Sequence, residues 1–215
     1  MKHTHLEILV EDLSGKVLVE GLLPKILPAN VTHRVFSYRG VGRIPRGLKA
    51  RTDASKRILL DRLPQLLKGY GKSLQRGDAV VVLVDSDRRN CREFLNELEQ
   101  LREDCEPCAT TLFRLAIEEM EAWMLADHHA LKRAFPGFKP AALKKYKQDS
   151  VCGTWEKMAD AVYPGGAAGL KAQGPHAVGQ AKSQWASAMA RLMDVENHRS
   201  PSFQAFVRGL RRLVN

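Results

Sequence analysis

Asp85 and Asp87 close the stretch VVVLVDSDRR, so two carboxylates stand directly behind five apolar residues that read as the most buried strand of the chain. Two other acidic groups hold the same kind of position. Glu11 follows the apolar run LEILV, and Glu118, Glu119 and Glu121 follow the strand-like ATTLFRL in the stretch AIEEMEAWMLAD. Carboxylates held close together repel and raise one another's pKa unless a cation offsets them. Clustered carboxylate oxygens are what Mg²⁺ or Mn²⁺ take, together with water and substrate phosphates. The chemistry these clusters suggest is that of a divalent-metal site.

Each cluster alone also fits a local role. Asp12 or Ser14 is placed to cap a first helix, and Asp87 to cap one starting near residue 90. Asp85 and Asp87 also have Arg88 and Arg89 beside them as partners on a solvated turn. The metal reading rests on all three clusters meeting in space, so it depends on the elements that carry them.

Those elements alternate. A strand over 6–10 leads to a helix in VLVEGLLPKILP, then a strand over 31–37 and the Gly-rich loop YRGVGRIPRGLKAR. Ile58, Leu59, Leu63, Leu66 and Leu67 have helical spacing, closed by Gly69 and Gly71, with Pro64 positioned to kink the helix. A strand over 79–84, a helix over 91–103 and a strand over 109–115 follow. Strand–helix alternation predicts βαβ units, hence an α/β fold with a mainly parallel sheet flanked by helices on both faces. In such sheets ligands sit at the carboxyl ends of the strands, which is where the three acidic groups fall. Beyond about residue 128 short helices mix with Gly- and Pro-rich joints. The expected organisation is an α/β domain over 1–128 and a helical extension over 129–215 packed on it.

Composition bounds the partners. The 215 residues carry 34 Lys and Arg against 24 Asp and Glu, a formal charge of +10, which favours polyanions such as DNA or RNA. No apolar run approaches the roughly 18 residues that span a bilayer, and MKHTHLEILVEDLSG lacks a signal peptide's apolar core, so a cytoplasmic protein without a membrane partner is expected. Cys105 and Cys108 form one CEPC without a second pair, a weak zinc signal. GYGKS at 69–73 lacks the earlier glycine of a phosphate-binding loop, and His128 and His129 lack a metalloprotease pattern. Met120, Trp123 and Met124 have the spacing of a core face.

The order strand–Glu, strand–DxD resembles the Toprim fold of topoisomerases, bacterial-type primases and overcoming-lysogenization-defect nucleases. More closely, ILVEDLSGK, LVDSD and EEMEAWMLAD resemble the DUF4276 family of Toprim-like proteins, over about residues 6–127, and SPSFQAFVRGL fits that family's tail. Relatives commonly have Gly beside the first glutamate and a further acid about four residues on, where this chain has Asp12 and Gly15. The resemblance implies a Toprim-like, Rossmann-like sheet in which Glu11 is the signature first-strand glutamate and Asp85 and Asp87 bind the metal. Glu121, with Glu119 near it, supplies the third acidic element. A helix from 118 would pair Glu118 with Glu121 on one face, whereas a strand continuing to 121 would pair Glu119 with Glu121.

The expected function is a Mg²⁺- or Mn²⁺-dependent nuclease hydrolysing phosphodiester bonds of DNA or RNA. Glu11, Asp85 and Asp87 would carry the reaction. Arg39, Arg43, Arg46, Lys49 and Arg51 of the Gly-rich loop, with Arg88 and Arg89, would hold backbone phosphates, although the loop also reads as a solvated turn. The resemblance implies an AAA- or ABC-type ATPase partner and a role in antiphage defence, because genes of the family often lie beside ATPase genes. Two alternatives stay open: a non-catalytic module that binds nucleic acid or an ATPase, and a protein of nucleotide binding or nucleotidyl transfer.

Overall fold

A computed structural model of the chain describes residues 4–40, 42–44 and 58–215. The described residues include four strands: β1 (His5–Val10), β2 (Thr32–Ser37), β3 (Asp78–Asp85) and β4 (Thr111–Ala116). They form one parallel sheet in the order β2-β1-β3-β4. Helices α1 (Leu13–Ile26), α2 (Leu59–Ser73) and α3 (Cys91–Glu103) make the crossovers, so the fold is α/β and Rossmann-like.

Both faces of the sheet are covered, which explains why β3 is apolar without alternation. Leu6, Ile8, Val10, Ala79, Val81 and Leu83 turn to one core with α1. Leu9, Val80, Val82 and Val84 turn to the other, formed with α2 and α3. The edge strand β2 buries only Val35 deeply, as expected of a strand paired on one side.

After β4 come α4 (Glu121–Leu125), α5 (His128–Ala134), α6 (Thr154–Val162), α7 (Gly166–Ala172), α8 (Pro175–Ala190) and α9 (Pro201–Val214). Helices α8 and α9 join the first core through Trp185, Met189, Phe203, Phe206 and Leu210, so the helices beyond residue 128 share the core of α1 and the sheet. Trp123 is wholly buried there, stacked on Phe206, and donates its indole N–H to Ser202.

The expected end of α2 needs correction. Gly69 and Gly71 lie inside the helix, which continues to Ser73. A Cβ at Gly71 would stand 2.4 Å from the Pro107 carbonyl oxygen, so this glycine serves a close backbone approach and not a helix stop. Pro64 also sits within the helix.

The chain passes from β1 to β2 on one side, then back over β1 to β3. The strand order therefore reverses between β1 and β3. Their carboxyl ends frame the crevice where open α/β sheets bind ligands, and they carry Glu11 and Asp85.

Candidate active site

Register brings the first two acids together. Val10 pairs with Leu83, so Glu11 and Asp85 emerge side by side from adjacent strands. The Asp85 backbone N–H lies 3.4 Å from Glu11 Oε2, a long contact at the limit of a hydrogen bond. Asp85 Oδ1 is buried without a hydrogen-bond partner. Burial pushes the Glu11 carboxyl up to about 7, helped by Asp87 and Asp12, against the pull of the Asp85 N–H and Lys182. Asp85 is also held well above the usual carboxylate range, by burial first and then by Glu11, with Lys182 opposing.

The third acidic element is neither a helix from 118 nor a strand to 121. β4 stops at Ala116, Glu118 adopts a left-handed φ of 58°, and α4 begins at Glu121. Ser86 fixes this turn: its hydroxyl accepts from the Glu118 N–H at 2.8 Å and its own N–H donates to the Ala116 carbonyl. The turn sends Glu118 away from the strand ends. Its carboxylate accepts from the N–H groups of Cys152, Gly153 and Thr154 and from the Thr154 hydroxyl, at the start of α6. Burial alone would raise Glu118, but these hydrogen bonds outweigh it and hold the group below the usual range. Glu118 is therefore a helix-capping acid.

Glu119 and Glu121 do meet, through a residue that motif reading missed. Lys182 of α8 places its ammonium 3.5 Å from Glu119 Oε1 and 3.3 Å from Glu121 Oε1, with 14% of its side chain exposed. Burial works against its charge, yet Glu121, Glu119, Asp85 and Asp12 together raise its pKa above the ordinary lysine range. Burial likewise raises Glu121, and it takes Glu119 to about 7, with Lys182 as the main opposing influence on both. The Trp155 N–H donates to the other Glu119 oxygen at 3.0 Å. A signal for Lys182 was present: Val178, Lys182, Trp185 and Met189 follow helical spacing, which puts a lysine in the apolar stripe of α8.

The other predicted residues scatter. Asp87 is exposed at φ 48° and does not cap α3; Asn90 does, accepting from Arg92 and Glu93. Neither Asp85 nor Asp87 is ion-paired with Arg88 or Arg89 among the described residues. Asp87, Arg88, Arg89, Glu119, Trp155 and Glu156 line an open cleft of about 530 Å³. The Arg89 guanidinium lies 4.3 Å from the Phe94 ring centroid and donates to the Gly42 carbonyl, so it is used in packing. Arg39 and Arg43 are exposed, whereas Arg46, Lys49 and Arg51 lie outside the described residues. Asp12 caps α1, accepting from the Gly15 N–H and the Ser14 hydroxyl. The four cysteines are free.

Among the described residues no group of three or more His, Cys, Asp or Glu side chains converges to hold a metal ion. Mg²⁺ commonly needs only one or two carboxylates, completed by water and substrate phosphates. Glu11 and Asp85 are the pair that could supply them, since Asp85 Oδ1 is a hard oxygen donor with no partner. Glu119 and Glu121 already share the Lys182 ammonium.

A parallel α/β sheet with its acids gathered where the strand order reverses defines a Rossmann-like protein with a charged crevice. The chain belongs to the DUF4276 family, described as a domain of unknown function (DUF4276), whose model matches residues 10–211 and so takes in both Glu11 and Lys182. No curated protein and no solved structure matches it. No helix among the described residues is long and apolar enough to cross a membrane.

Proposed function

We propose that the protein is a metal-dependent nuclease acting on DNA or RNA in the cytoplasm, with a Toprim-like form of the fold. The observation that carries this reading is the unpartnered, buried Oδ1 of Asp85 beside Glu11, at the crevice between β1 and β3. A buried acceptor left unpaired is costly, and a bound cation removes that cost. Glu11 and Asp85 would hold Mg²⁺ or Mn²⁺, with Asp87 beside them. The ion supplies Lewis acidity toward a phosphate and a more acidic bound water.

The chain's own groups do the rest. In the metal-free protein, burial with Asp87 and Asp12 raises the Glu11 carboxyl to about 7, so binding a cation would release its proton near neutral pH. Lys182 offsets part of the negative charge of Glu119 and Glu121, which would otherwise add to the repulsion of a polyanion. Arg88 and Trp155 line the adjoining cleft and provide a cation for backbone phosphate and an aromatic surface for a base. An ATPase partner in a defence-type system is part of this proposal and follows from the family resemblance alone.

The purified full chain, incubated with Mn²⁺ or Mg²⁺ and single- or double-stranded DNA and RNA, should cut at least one of them, and Asp85→Asn should abolish cutting while melting normally. Absence of cutting by the wild-type chain with either ion, alone and with an adjacent ATPase, rejects the reading.

A second reading is favoured by the Lys182 bridge. An acid pair already neutralised by a lysine is what a non-catalytic nucleic-acid- or ATPase-binding module needs to fold without metal. In that case Mn²⁺ leaves the melting temperature unchanged.

A further inference from the structure

A second charged feature lies away from the acids, on the outer flank of β4. Arg114 projects from this edge strand and is only half-buried. Its Nε donates to the Ala205 carbonyl at 2.9 Å and its Nη1 to the Phe113 carbonyl at 2.6 Å. No carboxylate is ion-paired with it among the described residues. A Cβ at Gly209 would stand 2.6 Å from Arg114 Nη2, so the missing side chain on α9 makes the room that the guanidinium fills.

Helical spacing then adds two more cations. Residues 205, 208, 209 and 212 share one face of α9 at i, i+3, i+4 and i+7. Ala205 and Gly209 touch Arg114, so Arg208 and Arg212 flank it. Both are exposed; Arg208 donates only to Gln204, and Arg212 has no hydrogen bond or ion pair among the described residues. Glu99 is the acid that acts on the group, and it is already paired with Arg102 Nε at 2.7 Å. After burial, the mutual repulsion of these guanidiniums is what lowers the Arg114 pKa, which fits a cluster lacking its counter-charge.

We infer that Arg208 and Arg212, beside the carbonyl-bound Arg114, form a phosphate-binding row for the backbone of a nucleic-acid strand, separate from the acidic crevice. Guanidinium forks match phosphate oxygens in pairs and carry no base selectivity of their own. α9 begins beside Trp123, just beyond the carboxyl end of β4, and reaches Arg114 farther along. The chain's excess of 34 basic over 24 acidic residues acts in the same direction. The inference concerns binding alone and stands whether or not the acids cut.

The test is fluorescence anisotropy of the full chain with a labelled single-stranded DNA oligonucleotide of about 20 nucleotides, in EDTA, over a range of salt. The double variant Arg208→Glu, Arg212→Glu changes only exposed side chains. It should bind at least about tenfold more weakly, with a salt dependence shallower by about one to two in log–log slope, while melting like the wild type. A double variant that folds and binds as tightly as the wild type, with the same salt slope, overturns the inference.

Discussion

The Lys182 ammonium lies 3.3 Å from Glu121 Oε1, and the glutamate is only 2% exposed, so a helix from the C-terminal half supplies the counter-charge for the acid that opens α4. The pair ties folding of the extension to the electrostatics of the crevice. Without the lysine, Glu119 and Glu121 would have no cation between them.

Replacing Lys182 by Met keeps most of the length of the side chain and removes its charge. Leaving a buried acid unpaired costs about 3–5 kcal/mol, so the variant should lose that much stability at neutral pH. The loss should shrink in acid, where the carboxyls protonate. Urea unfolding at both pH values measures it; an equal loss at both would show that packing, not charge, is what Lys182 contributes.

Stability of the metal-free protein should fall as pH rises from about 4.5 to about 7. Glu11 and Glu119 have folded pKa values of about 7 against an ordinary 4.5, so between these values the folded state binds more protons than the unfolded chain. The contribution is complete below 4.5 and is lost through 7. Urea midpoints in EDTA across this range should trace the decline, and Glu11→Gln should make it shallower. Saturating Mn²⁺ should offset it by favouring the ionised acids.

Asp85→Asn removes a buried carboxylate whose Oδ1 has no partner. The variant should melt at or above the wild-type temperature while losing at least about a hundredfold in Mn²⁺-dependent cleavage. A fall in melting temperature in EDTA would mean that the carboxylate is structural.

Glu118→Gln should behave in the opposite way. The change weakens an acceptor that serves three backbone N–H groups and the Thr154 hydroxyl, and should cost about 2 kcal/mol in stability. Cleavage by the folded fraction should persist. A variant that folds like the wild type but does not cut would give Glu118 a part in the reaction beyond capping α6.

The sequence was most legible where one local rule decided the outcome. The apolar runs at Leu6–Val10 and Ala79–Val84 are strands because both faces of the sheet are covered, and Asp12 caps α1 as its position before an apolar helix implies. The helix over 91–103 has the bounds its pattern predicts. Legibility failed where a distant contact decided. Gly71 looks like a helix stop until Pro107 is seen against it. Glu118, Glu119 and Glu121 cannot be sorted by periodicity, because a left-handed residue breaks the chain direction between strand and helix. Lys182 lies far along the chain from Asp85, and only its place in an apolar stripe marked it. Asp87 lost the capping role to Asn90, whose side-chain oxygen reaches two N–H groups of α3.

Anomalous diffraction from crystals soaked in Mn²⁺ would show whether an ion sits between Glu11 and Asp85. The metal-nuclease account predicts a peak in contact with carboxylate oxygens of both Glu11 and Asp85, at about 2.1 Å. Crystals that show no peak there, with Asp85 Oδ1 still unpartnered and Lys182 still bridging Glu119 and Glu121, would contradict it.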